Sequence, residues 1–195
     1  KQNKLSFDIE KEYKLFIEKL ETFFLNKLVP HLEKINPKSS HVFSHADSGI
    51  HNCVLDLNNE LRLVDLEYAG FDSPIKQHID FLIHPRNLKG SEIFKDWSNY
   101  FVNEKISKDD KSNLNIYNSL FSIKWSLIIM NEFLSERWKV RIYADPSRNT
   151  NRAKILYTQL KKAKLYLIAS IKLLDNERFE ELFSKSEIIL ISKSY

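Results

Sequence analysis

Apolar side chains recur every three or four positions at Ile9, Tyr13, Phe16, Leu20, Phe23 and Phe24. That period puts them on one stripe of a helix over residues 8 to about 29. Pro30, which cannot donate a backbone hydrogen bond, predicts a break or kink before His31 to Ile35. The turn formers Asn36-Pro37-Lys38-Ser39-Ser40 lead into His41-Val42-Phe43, which reads as a strand. Cys53 to Leu57 and Leu61 to Asp65, separated by the polar Asn58-Asn59-Glu60, predict a hairpin. The helical period then returns over Ile75 to Pro85, and over residues 91 to 104 with Ile93, Phe94, Trp97, Tyr100 and Phe101 on one side. A longer helix is expected from Asp109-Asp110, acidic residues suited to a first turn, through Leu114, Tyr117, Leu120, Phe121, Trp125, Ile128 and Ile129 to about Trp138. After a loop at Asp145-Pro146-Ser147, a last long helix runs from about Thr150 to Leu174 with Leu156, Leu160, Ala163, Leu167 and Leu174 inward, and a shorter one follows near Arg178 to Phe183. The expected class is α+β, predominantly α, as a single domain, because no repeat, low-complexity tract or linker divides the chain.

The polar residues at the mouth of the expected hairpin carry the candidate chemistry. Ser44-His45-Ala46-Asp47-Ser48-Gly49-Ile50-His51-Asn52 precedes the first strand, and Asp65 closes the second. Moving a phosphoryl group from ATP to a hydroxyl needs one carboxylate to accept the hydroxyl proton and hard oxygen ligands to hold Mg²⁺ against the phosphates. The kinase catalytic loop reads His-x-Asp, four residues, then Asn, and Asp47 and Asn52 stand at that interval. Asp47 suits the base; Asn52 and Asp65 suit the metal, since the hairpin would return Asp65 to the side of Asn52. Gly49 is expected to give the loop backbone angles that other residues avoid.

With Asp65-Leu66-Glu67-Tyr68-Ala69-Gly70 following, the chain resembles the superfamily of aminoglycoside phosphotransferases and choline/ethanolamine kinases. The resemblance implies the C-terminal lobe of a protein-kinase-like fold, with a catalytic loop over 43–52, a metal-binding hairpin over 52–70 and a helical remainder. It implies ATP and Mg²⁺ as cofactors, Asp47 as catalytic base, Asn52 and Asp65 as metal ligands, and Glu67 beside the metal or substrate. Pro74 and Asp80 stand where the superfamily carries a Pro and then an Asp, which makes Asp80 a structural brace of the loop from a helix; His45 is a structural part of the motif. Ala46 replaces the usual Gly, a small-for-small change expected to leave the loop intact. The acceptor would be a hydroxyl of choline, ethanolamine, an aminoglycoside or a sugar, and the Glu67-Tyr68-Ala69 run leans toward the choline/ethanolamine type. Tyr68, Trp125 and Trp138 could face a cationic amine, but aromatics at helical spacing are more often core. Glu132 could bind an amine and is read rather as a solvated surface charge, His51 as a loop residue.

Composition narrows the partners. Thirty basic and 26 acidic residues give a net charge of +4, with the lysines spread among acidic residues, which suits a small anion such as a nucleotide better than a nucleic-acid polymer. Cys53 is the only cysteine, so no internal disulfide is possible; it reads as a buried small hydrophobe in a reducing compartment. Six histidines without metal-type spacing argue against a zinc site, and no apolar run approaches a membrane span, so the expected location is the cytoplasm. With only three glycines, no phosphate-cradling loop can be written, and Lys1 in first place with Met130 as the only methionine points to a processed or truncated product. The expectation is therefore a lobe lacking the N-terminal ATP-binding half and inactive by itself. Two other functions stay open: a catalytically silent kinase-like binding scaffold, and a metal-dependent phosphohydrolase using the same aspartates.

Overall fold

A computed structural model describes residues 2–35, 41–47, 49–85 and 106–175, with isolated positions between 96 and 103. The expected turn over 36–40, most of the expected helix over 91–104 and the expected helix near 178–183 lie outside the described residues.

Helix α1 runs from Gln2 to Phe23 and buries Ile9, Phe16 and Leu20, the stripe expected from their spacing. Where Pro30 withholds its N–H, the helix widens into a π-type turn over Phe24–Leu28 and resumes as α2, Val29–Leu32, so the expected break is a change of pitch. Strand β1 (Val42–Ser44), β2 (Cys53–Leu55), β3 (Leu61–Leu63) and β4 (Gly70–Asp72) follow. The hairpin β2–β3 pairs Cys53 with Leu63 and Leu55 with Leu61, and is shorter than the sequence pattern suggests. Its turn is built on Asp56, whose Oδ1 accepts from the N–H groups of Asn58 (2.8 Å) and Glu60 (2.9 Å). These bonds and Arg62 hold the Asp56 carboxyl below its ordinary range.

One hairpin is not the whole of the strand content. A second antiparallel pair joins β1 to β4, Val42 opposite Asp72 and Ser44 opposite Gly70, across the entire intervening hairpin. Phe43 and Phe71 meet edge to face on it with ring centroids 6.0 Å apart.

Ser73 then caps α3 (Pro74–Ile83), its hydroxyl accepting from the Ile75 N–H at 3.2 Å with Pro74 in the first turn, where its missing N–H costs nothing. Ser107 caps α4 (Lys108–Ser112) through the Asp110 N–H. The expected single helix from Asp109 to Trp138 is instead three: α4, α5 (Leu114–Ile129) and α6 (Ser135–Ala144), with a 3₁₀ turn over Met130–Phe133. Asn113 and the extended Leu134 make the breaks. Glu132 causes much of the second. Far from being a solvated surface charge, it is 3% exposed, and its Oε1 receives Arg141 at 3.0 Å and Arg148 at 2.9 Å, so the chain must fold back to bring both guanidiniums to it.

The last helix, α7 (Arg152–Leu174), buries Leu156, Leu160, Ala163 and Leu167 as expected. It crosses α5 on serines. The Ser119 and Ser170 hydroxyls lie 2.7 Å apart and each also donates to the other's backbone carbonyl, and Ser126 Oγ donates to the Ala163 carbonyl at 2.8 Å. Small hydroxyls let the two backbones approach while satisfying each other in a place water does not reach. The other side of α7 receives α1, where Lys164 donates to Glu12. The described chain is thus mostly helical with two small antiparallel sheets, an α+β arrangement predominantly α. Among the described residues no helix is long and apolar enough to cross a membrane.

Candidate functional site

The loop after β1 is held from both sides. Ser44, fully buried, accepts the Ala46 N–H on its hydroxyl at 3.0 Å, and the buried His45 places Nε2 2.6 Å from the Val64 carbonyl. The loop is therefore tied to the residue that precedes Asp65. Its unusual backbone angle falls on Ala46, at φ 67°, and not on Gly49, which is extended at φ −122°, ψ 150°. Glycine at 49 matters instead through a neighbouring side chain. A Cβ there would stand 2.2 Å from the imidazole of His51, which lies directly on the Gly49 backbone.

Asp47 lies in this loop with its side chain 38% exposed. Asn52, 5% exposed, donates from Nδ2 to the Asp47 carbonyl at 3.0 Å and to Asp47 Oδ2 at 3.2 Å. The amide nitrogen is thus spent on Asp47, and among the described residues none hydrogen-bonds Asn52 Oδ1. The hairpin register carries one bond further, Val64 N–H to the Asn52 carbonyl at 2.9 Å, which brings the backbone of Asp65 alongside. Asp65 is exposed and sits at φ 61°, a conformation costly for a residue with a Cβ. Among the described residues no hydrogen bond or ion pair joins its carboxylate to Asp47 or Asn52.

Glu67 is exposed beyond it. Its carboxylate, more than that of Asp65, holds the Tyr68 phenol above the ordinary tyrosine range, while Arg137 on α6 pulls the other way. These groups share one stretch of surface beside the loop. Arg137 had no signal in the sequence, since it arrives from a different helix.

Asp80, on α3, is 3% exposed, and among the described residues no hydrogen bond or ion pair joins it to the loop. Its Oδ1 accepts the Trp125 indole N–H at 3.1 Å and a bond from Lys124, and its Oδ2 lies 3.6 Å from Lys76. Burial pulls the Lys124 ammonium below the ordinary lysine range, against the attraction of Asp80. The Trp125 ring meets His84 edge-on at 4.6 Å, and His84 Nε2 stands 3.4 Å from Asp47 Oδ1. Asp80 therefore reaches Asp47 through an indole and an imidazole. Trp125 and Trp138 are both buried, Trp138 under the guanidinium of Arg152 at 5.4 Å, which leaves Tyr68 as the exposed aromatic of the three considered for an amine.

Although the spacing of the histidines along the sequence is not of a metal-binding type, two of them come together with Asp47. His51 Nε2 lies 3.7 Å from Asp47 Oδ2, the rings of His51 and His84 stack at 4.6 Å, and the ligand atoms of Asp47, His51 and His84 all fall within 4.8 Å of one another. Among the described residues this is the group of histidine and carboxylate atoms that comes together; Asp65 and Glu67 are not in it. Cys53 is half-buried rather than buried, its thiol pushed up by desolvation and 3.6 Å from the Gly49 carbonyl.

Compared with family models, with curated proteins and with solved structures, the chain shows no match.

Proposed function

We propose that the chain is the catalytic lobe of a protein-kinase-like enzyme that transfers a phosphoryl group from ATP to a hydroxyl of a small molecule. The observation that carries this is the join between Asp47 and Asn52. The amide nitrogen of Asn52 fixes the carboxylate of Asp47 and turns the amide oxygen away from it. A base and an oxygen ligand are thereby set by one side chain, at the residue interval a kinase loop needs.

Asp47 takes the acceptor's hydroxyl proton on a carboxylate oxygen as the oxygen attacks. Its half-open position admits that hydroxyl. Asn52 Oδ1 and the exposed Asp65 carboxylate are hard oxygen donors of the kind Mg²⁺ requires, and they would hold it. Mg²⁺, when bound, supplies neutralisation of phosphate charge. With three glycines in the chain, the residues that would cradle the ATP phosphates are not among these 195. Glu67, Tyr68 and Arg137 line the neighbouring surface where an acceptor would lie, and a carboxylate with an exposed phenol suits an amino alcohol.

The test is an acceptor screen with the full-length protein, reading ADP from ATP with choline, ethanolamine, aminoglycosides and sugars. Asp47→Asn should slow turnover at least about a hundredfold, the order expected for losing a general base, with ATP affinity retained. Equal loss of ATP affinity would show that base and ligand are misassigned. Phosphate released from a phosphoester with no nucleotide present would point to hydrolysis instead.

A further inference from the structure

We propose that Asp47, His51 and His84 form a binding site for a divalent cation of the zinc class, and that filling it removes Asp47 from proton transfer. The binding stands on geometry alone; the inhibitory consequence rests on Asp47 being the base. The two Asp47–imidazole separations, 3.4 and 3.7 Å, are longer than hydrogen bonds. The 3.4 Å from His84 Nε2 to Asp47 Oδ1 is close to the roughly 3.3 Å edge of a tetrahedron whose arms are the ~2.0–2.1 Å bonds of zinc to nitrogen and oxygen, while His51 Nε2 stands by the other oxygen of the same carboxylate. Both imidazoles present Nε2, and the carboxylate presents a separate oxygen to each. The remaining approach, within 4.8 Å, closes with a small movement of His51.

The donor set also selects the ion. Two imidazoles and one carboxylate suit zinc and its neighbours among the transition metals, whereas Mg²⁺ prefers oxygen throughout. The surroundings orient the ligands as metal sites require. Trp125, pinned by Asp80, fixes the His84 ring, and Asn52 fixes the Asp47 carboxylate. His84 forms the closed floor at 6% exposure, while His51 and Asp47 stay open at 22% and 38%, leaving an entrance and a fourth position for water.

The experiment is calorimetric titration of the 195-residue chain with Zn²⁺ in excess Mg²⁺, without nucleotide. One ion should bind per chain, with affinity falling at least about a hundredfold in His51→Ala and in Asp47→Asn, the upper end for disturbing a metal's surroundings, and holding in His31→Ala, a histidine away from the site. His51 is chosen over the buried His84 so that folding, checked by thermal melts, survives. No binding, or an affinity in His51→Ala and Asp47→Asn unchanged from that of the unsubstituted chain, overturns the site. In the full-length enzyme, half-inhibition should fall at the calorimetric Zn²⁺ affinity; full turnover at saturating Zn²⁺ overturns the inhibitory step while leaving the site. Zinc bound as described by a protein that transfers no phosphate would sink only the kinase assignment.

Discussion

Ala46 carries a cost that the sequence does not announce. At φ 67° an L-residue is disfavoured by about 1–2 kcal/mol, while glycine takes the angle freely and gives back part of the gain as unfolded-chain entropy. Ala46→Gly should therefore raise stability by about 0.5–1 kcal/mol, read as a higher urea midpoint; a lower midpoint would mean the alanine methyl is packed to advantage. Alanine at 46 is thus accommodated with strain that a glycine would not carry. Asp80 is the opposite case, a residue whose removal should hurt far from the loop. Asp80→Ala leaves Lys124 without its hydrogen-bonded ion-pair partner and the Trp125 N–H without its acceptor. Since the Lys124 side chain is 34% exposed, the loss should be near the low end for a broken buried pair, about 3 kcal/mol by urea denaturation. A loss under about 1 kcal/mol would show that water replaces Asp80 at both partners.

Between helices, the decisive contact is polar. The Ser119–Ser170 pair joins α5 to α7, and all of its hydroxyl bonds are internal. Ser170→Val adds bulk at a fully buried position and removes the hydroxyl that bonds Ser119 Oγ and the Ser119 carbonyl, while Ser119 keeps its bond to the backbone carbonyl of residue 170, so stability should drop by about 2–4 kcal/mol, measured by thermal or urea melts. An unchanged melting temperature would mean that the helices can separate slightly at no cost. The same contact explains why periodicity alone misjudged this region. Ser119, Ser122 and Ser126 read as polar positions on α5 although all three are fully buried. The apolar run Ile128-Ile129-Met130 likewise carries the helical period straight through a turn that Glu132 and its two arginines impose.

At the scale of the whole molecule, the long stripes of α1 and α7 were legible because one face of each meets the core over many turns. What stayed hidden depends on partners distant in sequence: the short strand Gly70-Phe71-Asp72, Arg137 near Tyr68, and His84 beside Asp47. The loop itself was readable as a spacing, but which side chains share its space was not. Stability of the whole should also depend on acid through His78, which burial pushes down to about 4 from an ordinary 6.5. The unfolded chain takes up that proton as pH falls below 6.5 and the folded one does not until about 4, so stability is complete above 6.5 and declines across that window by up to about 3 kcal/mol. Urea midpoints from pH 7 to 4 should follow this slope, and His78→Gln, which cannot titrate, should flatten it; an unaltered slope would assign the acid sensitivity elsewhere. Finally, α1 rests on α7, its Glu12 joined to Lys164 at a separation of 152 residues. A ribosome making this chain must therefore translate 152 further codons after Glu12 before that face of α1 meets its partner on α7, and until then the nascent helix is a chaperone's client.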